Sequence, residues 1–163
     1  MAAAVVRQTQ PLHQRAKFDF PNLKIREIID CLFPVIDGGI TEDDIAKPTA
    51  NRMQHIYDQL LLRCVGISRQ MYINYAQSDA WAETVEHPDI FRDGAGHLGF
   101  FRQVRNLMNT VGIFDFNMRD MSKPETTRVK RILSAVINFM RFQEDRFQVF
   151  DQCLQQSVRV FVY

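Results

Sequence analysis

The chain lacks the features that mark membrane, secreted and strongly nucleic-acid-binding proteins. Its 163 residues contain no run of about 18 apolar residues, so we expect neither a membrane span nor a membrane partner. No apolar signal core opens the sequence and no Asn-x-Ser/Thr acceptor occurs, which argues against secretion. The formal net charge of +1 argues against tight, direct binding of nucleic acid, although it leaves room for a local basic patch.

Cysteine and tryptophan are also scarce. The three cysteines, Cys31, Cys64 and Cys153, are widely spaced and odd in number, which favours buried reduced thiols over a disulfide framework or a metal site. The four histidines have no ligand spacing among themselves or with the cysteines. Reduced thiols are typical of the cytosol and the nucleus. One Trp against 13 Phe predicts a core rich in phenylalanine.

No arrangement of residues points to catalysis or to a bound cofactor. The run Gly94 to Gly99 matches the G-x-G-x-x-G pattern of dinucleotide sites, but such a site needs a buried strand directly before it. The preceding residues 86–93 do not form a buried-strand pattern, so we interpret the glycines as a flexible loop that enters a helix. We therefore predict a non-enzymatic protein without a cofactor. The alternative, from a different class of function, is a helical enzyme domain.

Helical periodicity and capping signals predict an all-α domain after a basic tail. Residues 1–18 contain three basic residues and no acidic one, which indicates a flexible tail; a mitochondrial transit peptide is the alternative. Thr41 with Asp44 predicts a capped short helix, and Thr49 and Gly66 bound a long one. The predicted helices run from about 23 to 33, 42 to 47, 50 to 65, 68 to 75, 98 to 111 and from 124 onward, with a long loop over 77–96.

The last helix is the most clearly patterned. Ser122 and Glu125 predict a capping box, and Pro124 is expected in the first turn, where its missing N–H costs nothing. Residues 157–163 alternate as a strand would, and we leave open whether they form an edge segment or an artificial boundary of the sequence. The apolar stripe of this helix comprises Val129, Ile132, Leu133, Val136, Ile137 and Met140.

A short pattern occurs twice. Residues 44–52 and 120–128 both read Asp, apolar, small, Lys, Pro, three further residues and Arg, and each opens a long amphipathic helix. Basic residues near a helix N-terminus are mildly unfavourable, by ~0.3–1 kcal/mol each, so helix energetics do not explain them. We predict that they meet an acidic surface; a solvated polar face is the alternative. The candidate contacts are Lys47, Lys123, Arg128, Lys130 and Arg131.

Several separated stretches resemble the head of the Nuf-two family, a subunit of the outer-kinetochore Ndc-eighty complex. Together they cover most of residues 19–150, and the run from Phe116 to Arg146 is the most specific. The stretches are Phe20-Pro21, Glu27 to Leu32, Ile40 to Pro48, Met53 to Tyr57, Val65 to Ile67 and Asp115 to Phe142.

The resemblance implies a compact, calponin-homology-like multi-helix fold and a location in the nucleus, at the centromere and kinetochore of the chromosome. It also implies a head that pairs with the Ndc-eighty (Hec) head and supports attachment to spindle microtubules, by attraction to acidic tubulin. Lys47 and Arg128 match basic positions of the family, whereas Thr127 stands where another basic residue is usual. A calponin-homology module of another cytoskeletal protein, such as an actin-binding or adaptor protein, is the alternative.

The resemblance also suggests how the chain is divided. We predict a tail over 1–18, a head over 19–150, and a C-terminal extension over 151–163 that leads towards a coiled coil. In the family, that coiled coil joins the partner and the remaining subunits of the complex. Sustained heptads are not evident in this sequence, so we expect a head fragment or a divergent chain.

Overall fold

The computed structural model describes residues 21–71, 83 and 87–161, with side chains described except at 88–93 and 155–161. These residues form helices joined by turns and irregular segments and contain no strand, which confirms the all-α class. The calponin-homology assignment rests on the family resemblance and stays a prediction, as do the domain boundaries. The helices are α1 (Ile25–Leu32), α2 (Glu42–Ala46), α3 (Ala50–Val65), α4 (Pro88–Thr110), α5 (Met118–Ser122) and α6 (Thr126–Phe161).

One core unites these helices. Helix α6 packs against α1 and α2, while α3 packs against α4 and α5. The core is mainly Ile, Leu, Val and Met, and the phenylalanines described as buried are Phe100 and Phe116. The prediction of a phenylalanine-rich core is therefore wrong for the described residues, because most of the other phenylalanines lie in turns or on the outer part of α6. The exposed ones are Phe33, Phe114, Phe142, Phe147 and Phe150.

Local capping signals in the first half of the chain place the helix ends as predicted. The Asp44 N–H donates to the Thr41 hydroxyl over 3.3 Å, and the Thr41 N–H donates to the Asp44 carboxylate over 2.9 Å. Thr49 caps α3 by accepting from the Arg52 N–H over 3.4 Å. Gly66 ends α3 at φ 76°, a left-handed conformation in which a side chain would be strained.

Helix α4 begins earlier than the sequence predicts. The predicted loop over 77–96 is wrong from Pro88 onward, because α4 starts there and includes Gly94, Gly96 and Gly99. Pro88 is compatible with a first helical turn, and an internal glycine costs only about 1 kcal/mol. Burial of the later α4 face, including Val104, offsets that cost. The glycines therefore form neither a phosphate-binding turn nor an entry loop.

The start of α6 also differs from the prediction. The Ser122 hydroxyl donates to the Met118 carbonyl within α5 over 3.0 Å, so Ser122 does not cap α6. Helix α6 begins at Thr126, two residues after Pro124. The capping box lies one helix earlier, where Asn117 and Asp120 cap α5. The prediction is wrong because these two residues reach the α5 backbone, which leaves Ser122 at the end of that helix.

The outer part of α6 leaves the core. The last buried residue of its described side chains is Met140, and from 141 to 154 the side chains are exposed except for the half-buried Gln143. The helix continues to Phe161, so residues 157–161 are helical although their sequence alternates as a strand would. At 1.5 Å per residue a helix of 36 residues is about 54 Å long. None of the helices in the described ranges is both long and apolar enough to cross a membrane.

Some predictions fall wholly or partly outside the described residues. The basic tail over 1–18 does so entirely. The short helix predicted over 68–75 is helical at 69–71, and its remaining residues from 72 onward are not described.

Candidate functional site

The repeated sequence pattern forms the same structure twice, which we call the Asp–Arg turns (residues 41–52 and 117–128). Each begins with a capping box on a five-residue helix, α2 or α5. Each helix is followed by a C-cap lysine of similar backbone conformation, φ −132° and ψ 64° at Lys47, and φ −139° and ψ 69° at Lys123. A proline and the next long helix follow. The repeated sequence pattern therefore corresponds to a repeated structure.

An ion pair closes each Asp–Arg turn between equivalent atoms. Arg52 Nε lies 3.2 Å from Asp44 Oδ1, and Arg128 Nε lies 2.9 Å from Asp120 Oδ1. In both turns the aspartate is also the acidic member of the capping box, so one carboxylate joins the start of the short helix to the start of the long one. Helix energetics alone do not explain the two arginines, but these internal pairs do, which corrects that part of the sequence interpretation.

Arg128 is the more deeply engaged of the two arginines. Its side chain is 22% exposed and donates two hydrogen bonds to Asp120, whose side chain is 7% exposed. It also donates to the Asp115 carboxylate and, over 2.8 Å, to the Asp115 carbonyl. Hydrogen bonds to Asp120 and then Asp115 raise the pKa of Arg128. The bond from Arg128 holds the pKa of Asp115 below its usual value, although partial burial opposes this.

Arg131 also pairs with Asp115, but its side chain is more exposed than that of Arg128. Its Nη1 lies 3.2 Å from Asp115 Oδ2, and its side chain is 47% exposed. Asp115 therefore bridges Arg128 and Arg131, two arginines of α6 that are three residues apart in sequence. A charge reversal at Arg128 would test the fold as well as the surface, whereas one at Arg131 mainly tests the surface.

The two Asp–Arg turns lie side by side. The Thr126 hydroxyl donates to the Ala46 carbonyl over 2.9 Å, which brings the end of α2 against the start of α6. Lys47 follows Ala46 directly, and Lys123 precedes Thr126 by three residues, so both lysines lie around this contact. The Thr126 bond was not predictable from local sequence, since its partner is 80 residues away.

The five predicted contact residues thus separate into two groups. Lys47 and Lys123 are exposed and Lys130 is half-buried. Across the described ranges, no salt bridge is found for these three lysines. Arg128 and Arg131 instead pair with aspartates. We call the three lysines of this set, Lys47, Lys123 and Lys130, the lysine edge.

A cavity of about 220 Å³ lies between α3, α4 and α6 and is lined by Cys64, Leu107 and Phe139, among others. Burial raises the pKa of the Cys64 thiol to about 11, with Arg63 opposing the rise. Of the cysteines, Cys31 and Cys64 are half-buried and Cys153 is exposed, so the predicted burial is wrong for Cys153. No metal-binding cluster of three His, Cys, Asp or Glu occurs in the described part of the chain.

Comparison with known proteins identifies a family. The Nuf2 (Nuf-two) family model matches residues 16–160. Kinetochore protein NUF2 of Saccharomyces cerevisiae is 32% identical over 129 residues, covering 78% of this chain and 29% of the relative. Kinetochore protein nuf2 of Schizosaccharomyces pombe is 33% identical over 143 residues, covering 86% of this chain and 31% of the relative.

A third relative gives the same picture. The probable kinetochore protein NUF2 of Candida albicans is 34% identical over 155 residues, covering 81% of this chain and 32% of the relative. The chain thus spans about three tenths of the length of these curated relatives. Because the family model extends over most of the chain, from the residues before α1 almost to the end of α6, the chain belongs to the Nuf2 family.

Proposed function

We propose that this domain is the head of a kinetochore subunit that acts in chromosome segregation, in the nucleus at the centromere. The family match over residues 16–160 carries the proposal. The relatives are named as kinetochore proteins, and the head would have the same place in its own complex. The role is non-enzymatic: the head binds and positions other proteins.

The lysine edge is the proposed contact with the microtubule. Lys47 and Lys123 are exposed around the junction of α2 and α6, and their charges are not used by ion pairs with the described residues. An acidic protein surface such as that of tubulin would attract them. Exposed pairs contribute only ~0.2–1 kcal/mol each and are screened over about 8 Å at physiological salt, so several such contacts are needed for useful affinity.

The outer part of α6 is the proposed contact with a partner subunit. Phe147, Phe150 and Leu154 are exposed and spaced three and four residues apart, which places them along one side of the helix. That spacing is typical of a coiled-coil seam. We propose that this seam meets a helix of the Ndc-eighty (Hec) subunit and that the remaining subunits join through the same coiled coil.

Co-sedimentation with microtubules tests the proposal in the complete complex that contains this head. We expect Lys47→Glu with Lys123→Glu to weaken binding by about five- to thirtyfold, because two attractive contacts become repulsive. Arg102→Glu with Arg105→Glu is the matched control. It changes the net charge equally at two exposed sites on α4, a helix that packs mainly on α3.

Three outcomes would contradict the proposal. The first is a complex that does not bind microtubules at all. The second is an equal loss in the α4 control, which would show a general charge effect rather than a contact at the lysine edge. The third is co-sedimentation with actin filaments but not with microtubules, which would favour the other cytoskeletal module.

A further inference from the structure

We propose that Asp115 is an internal competitor that occupies Arg131 and so limits the affinity of the head for an acidic protein surface. The inference rests on the proposed function, because it concerns the same basic region and the same kind of partner. It deepens that function by identifying the residue that sets how much positive charge this region presents.

The first argument is that Arg128 does not need Asp115 for its own charge to be balanced. Asp120 is nearly buried and takes two hydrogen bonds from Arg128, of 2.9 and 3.1 Å. It is held in place by the Asn117 N–H over 3.0 Å. The Arg128–Asp120 pair is therefore complete by itself. The Asp115 carboxylate adds a second negative charge to a guanidinium that is already neutralised.

The second argument is the position of Asp115 between the interior and the surface. Its side chain is 56% exposed, and it reaches Arg131, whose side chain is 47% exposed, over 3.2 Å. An ion pair between two side chains as exposed as these contributes little to the stability of the fold. It nevertheless places a carboxylate on a cation that lies next to Lys130 on α6, where an acidic partner would approach.

The third argument is electrostatic. Lys130 and Arg131 are adjacent on α6, and Lys123 lies eight residues before Arg131, just ahead of that helix. A carboxylate within a Debye length of about 8 Å lowers the positive potential that such a group presents. An incoming glutamate or aspartate must also displace Asp115 before it can pair with Arg131. Loss of the Asp115 charge removes both obstacles.

The test is Asp115→Asn in the complete complex, with binding measured both to microtubules and to a polyglutamate peptide. The amide keeps the size of the side chain and loses its charge. We expect affinity to rise about two- to fivefold for each probe, the range that one exposed ion pair provides. The rise should disappear when Arg131→Gln is added, and Arg131→Gln should matter less in the wild-type background.

Asp145→Asn is the matched control, because it removes the same charge from an exposed site on the outer part of α6. An equal rise in that control, or a rise that persists without Arg131, would overturn the inference.

Failure of the inference and of the proposed function can be told apart. If microtubules do not bind but Asp115→Asn still binds polyglutamate more tightly, only the proposed function fails. If microtubules bind and Asp115→Asn has no effect, only the inference fails.

Discussion

Arg128 of α6 and Asp120 of α5 form a two-point ion pair, in which Nε and Nη2 donate to the two carboxylate oxygens over 2.9 and 3.1 Å. Removing the arginine leaves a nearly buried carboxylate without its main partner. We therefore expect Arg128→Ala to lower the free energy of unfolding by about 2–3 kcal/mol, measured by urea denaturation followed by circular dichroism. Arg131→Ala is the control and should cost less than about 1 kcal/mol. Equal losses would contradict the structural role of Arg128.

The capping boxes of α2 and α5 should contribute similarly, because they are built alike. Thr41→Ala and Asn117→Ala each remove a side chain that accepts from the first turn of its helix. We expect each to lower the free energy of unfolding by about 1 kcal/mol. Thr127→Ala, at an exposed position in the first turn of α6, should change it by less than about 0.5 kcal/mol. A loss at Asn117 no greater than at Thr127 would show that the second box is not a true cap.

Tyr57 carries a hydroxyl that the fold does not use. Its side chain is fully buried, and its oxygen has no hydrogen-bond partner among the described residues. Burial, with the nearby Asp120 charge, raises the pKa of this phenol. Tyr57→Phe should therefore leave thermal stability unchanged or raise it slightly, since the ring still packs edge-on against Phe116 at 5.7 Å. A loss above about 1 kcal/mol would instead indicate a bound internal water.

The cysteines should differ in their reaction with a thiol reagent. Cys153 is exposed, whereas Cys64 is half-buried and the pKa of its thiol is about 11. At pH 8 only about one Cys64 thiol in a thousand is ionised, and the thiolate is the reactive form. We expect Cys153 to react first and Cys64 to react on unfolding, which mass spectrometry of timed alkylation would show. The Cys153→Ser variant gives the rate of the slower sites alone, and rapid modification of Cys64 in the folded protein would contradict the prediction.

Acid should weaken the first Asp–Arg turn. Burial acts to raise the pKa of Asp44, but hydrogen bonds with Thr41 and the charge of Arg52 outweigh it and lower the pKa overall. A lowered pKa in the folded state stabilises the protein above the unfolded value, about 3.9, and that stabilisation is lost as pH falls through the folded value. The stability difference between wild type and Asp44→Asn should thus be largest above about pH 5 and shrink below pH 4. A difference that grows with acid would contradict this.

Local signals made the first half of the fold predictable from sequence. Thr41, Thr49 and Gly66 determine helix ends through contacts within a few residues, so the pattern alone located α2 and α3. Helix α4 was not predictable in the same way, because its glycines are unfavourable locally and the burial that offsets them comes from other helices. The start of α6 was predicted wrongly because the Ser122 hydroxyl bonds to the Met118 carbonyl within α5 instead of capping α6.

The candidate site was predictable only in part. The repeated sequence pattern identified Lys47, Lys123 and Arg128 as candidates. It also contains Asp44 and Asp120, which form the ion pairs with the arginines of the two Asp–Arg turns. Their pairing was missed because an Asp eight residues before an Arg has no helical register that would place them together. The pairing of Asp115 was not predicted, since it meets Arg128 and Arg131 only when the turn before α5 lies against α6.

The length of α6 has a mechanical consequence. The helix contains no proline or glycine between Thr126 and Phe161, and its first part is anchored in the core by residues such as Leu133 and Val136. A pulling force on the outer part of α6 would be transmitted along the helix, because the helix has no proline or glycine at which it could bend. The force would reach the contact between α1 and α6 as shear, and the direction of α6 would set the direction in which Lys130, on that helix, faces.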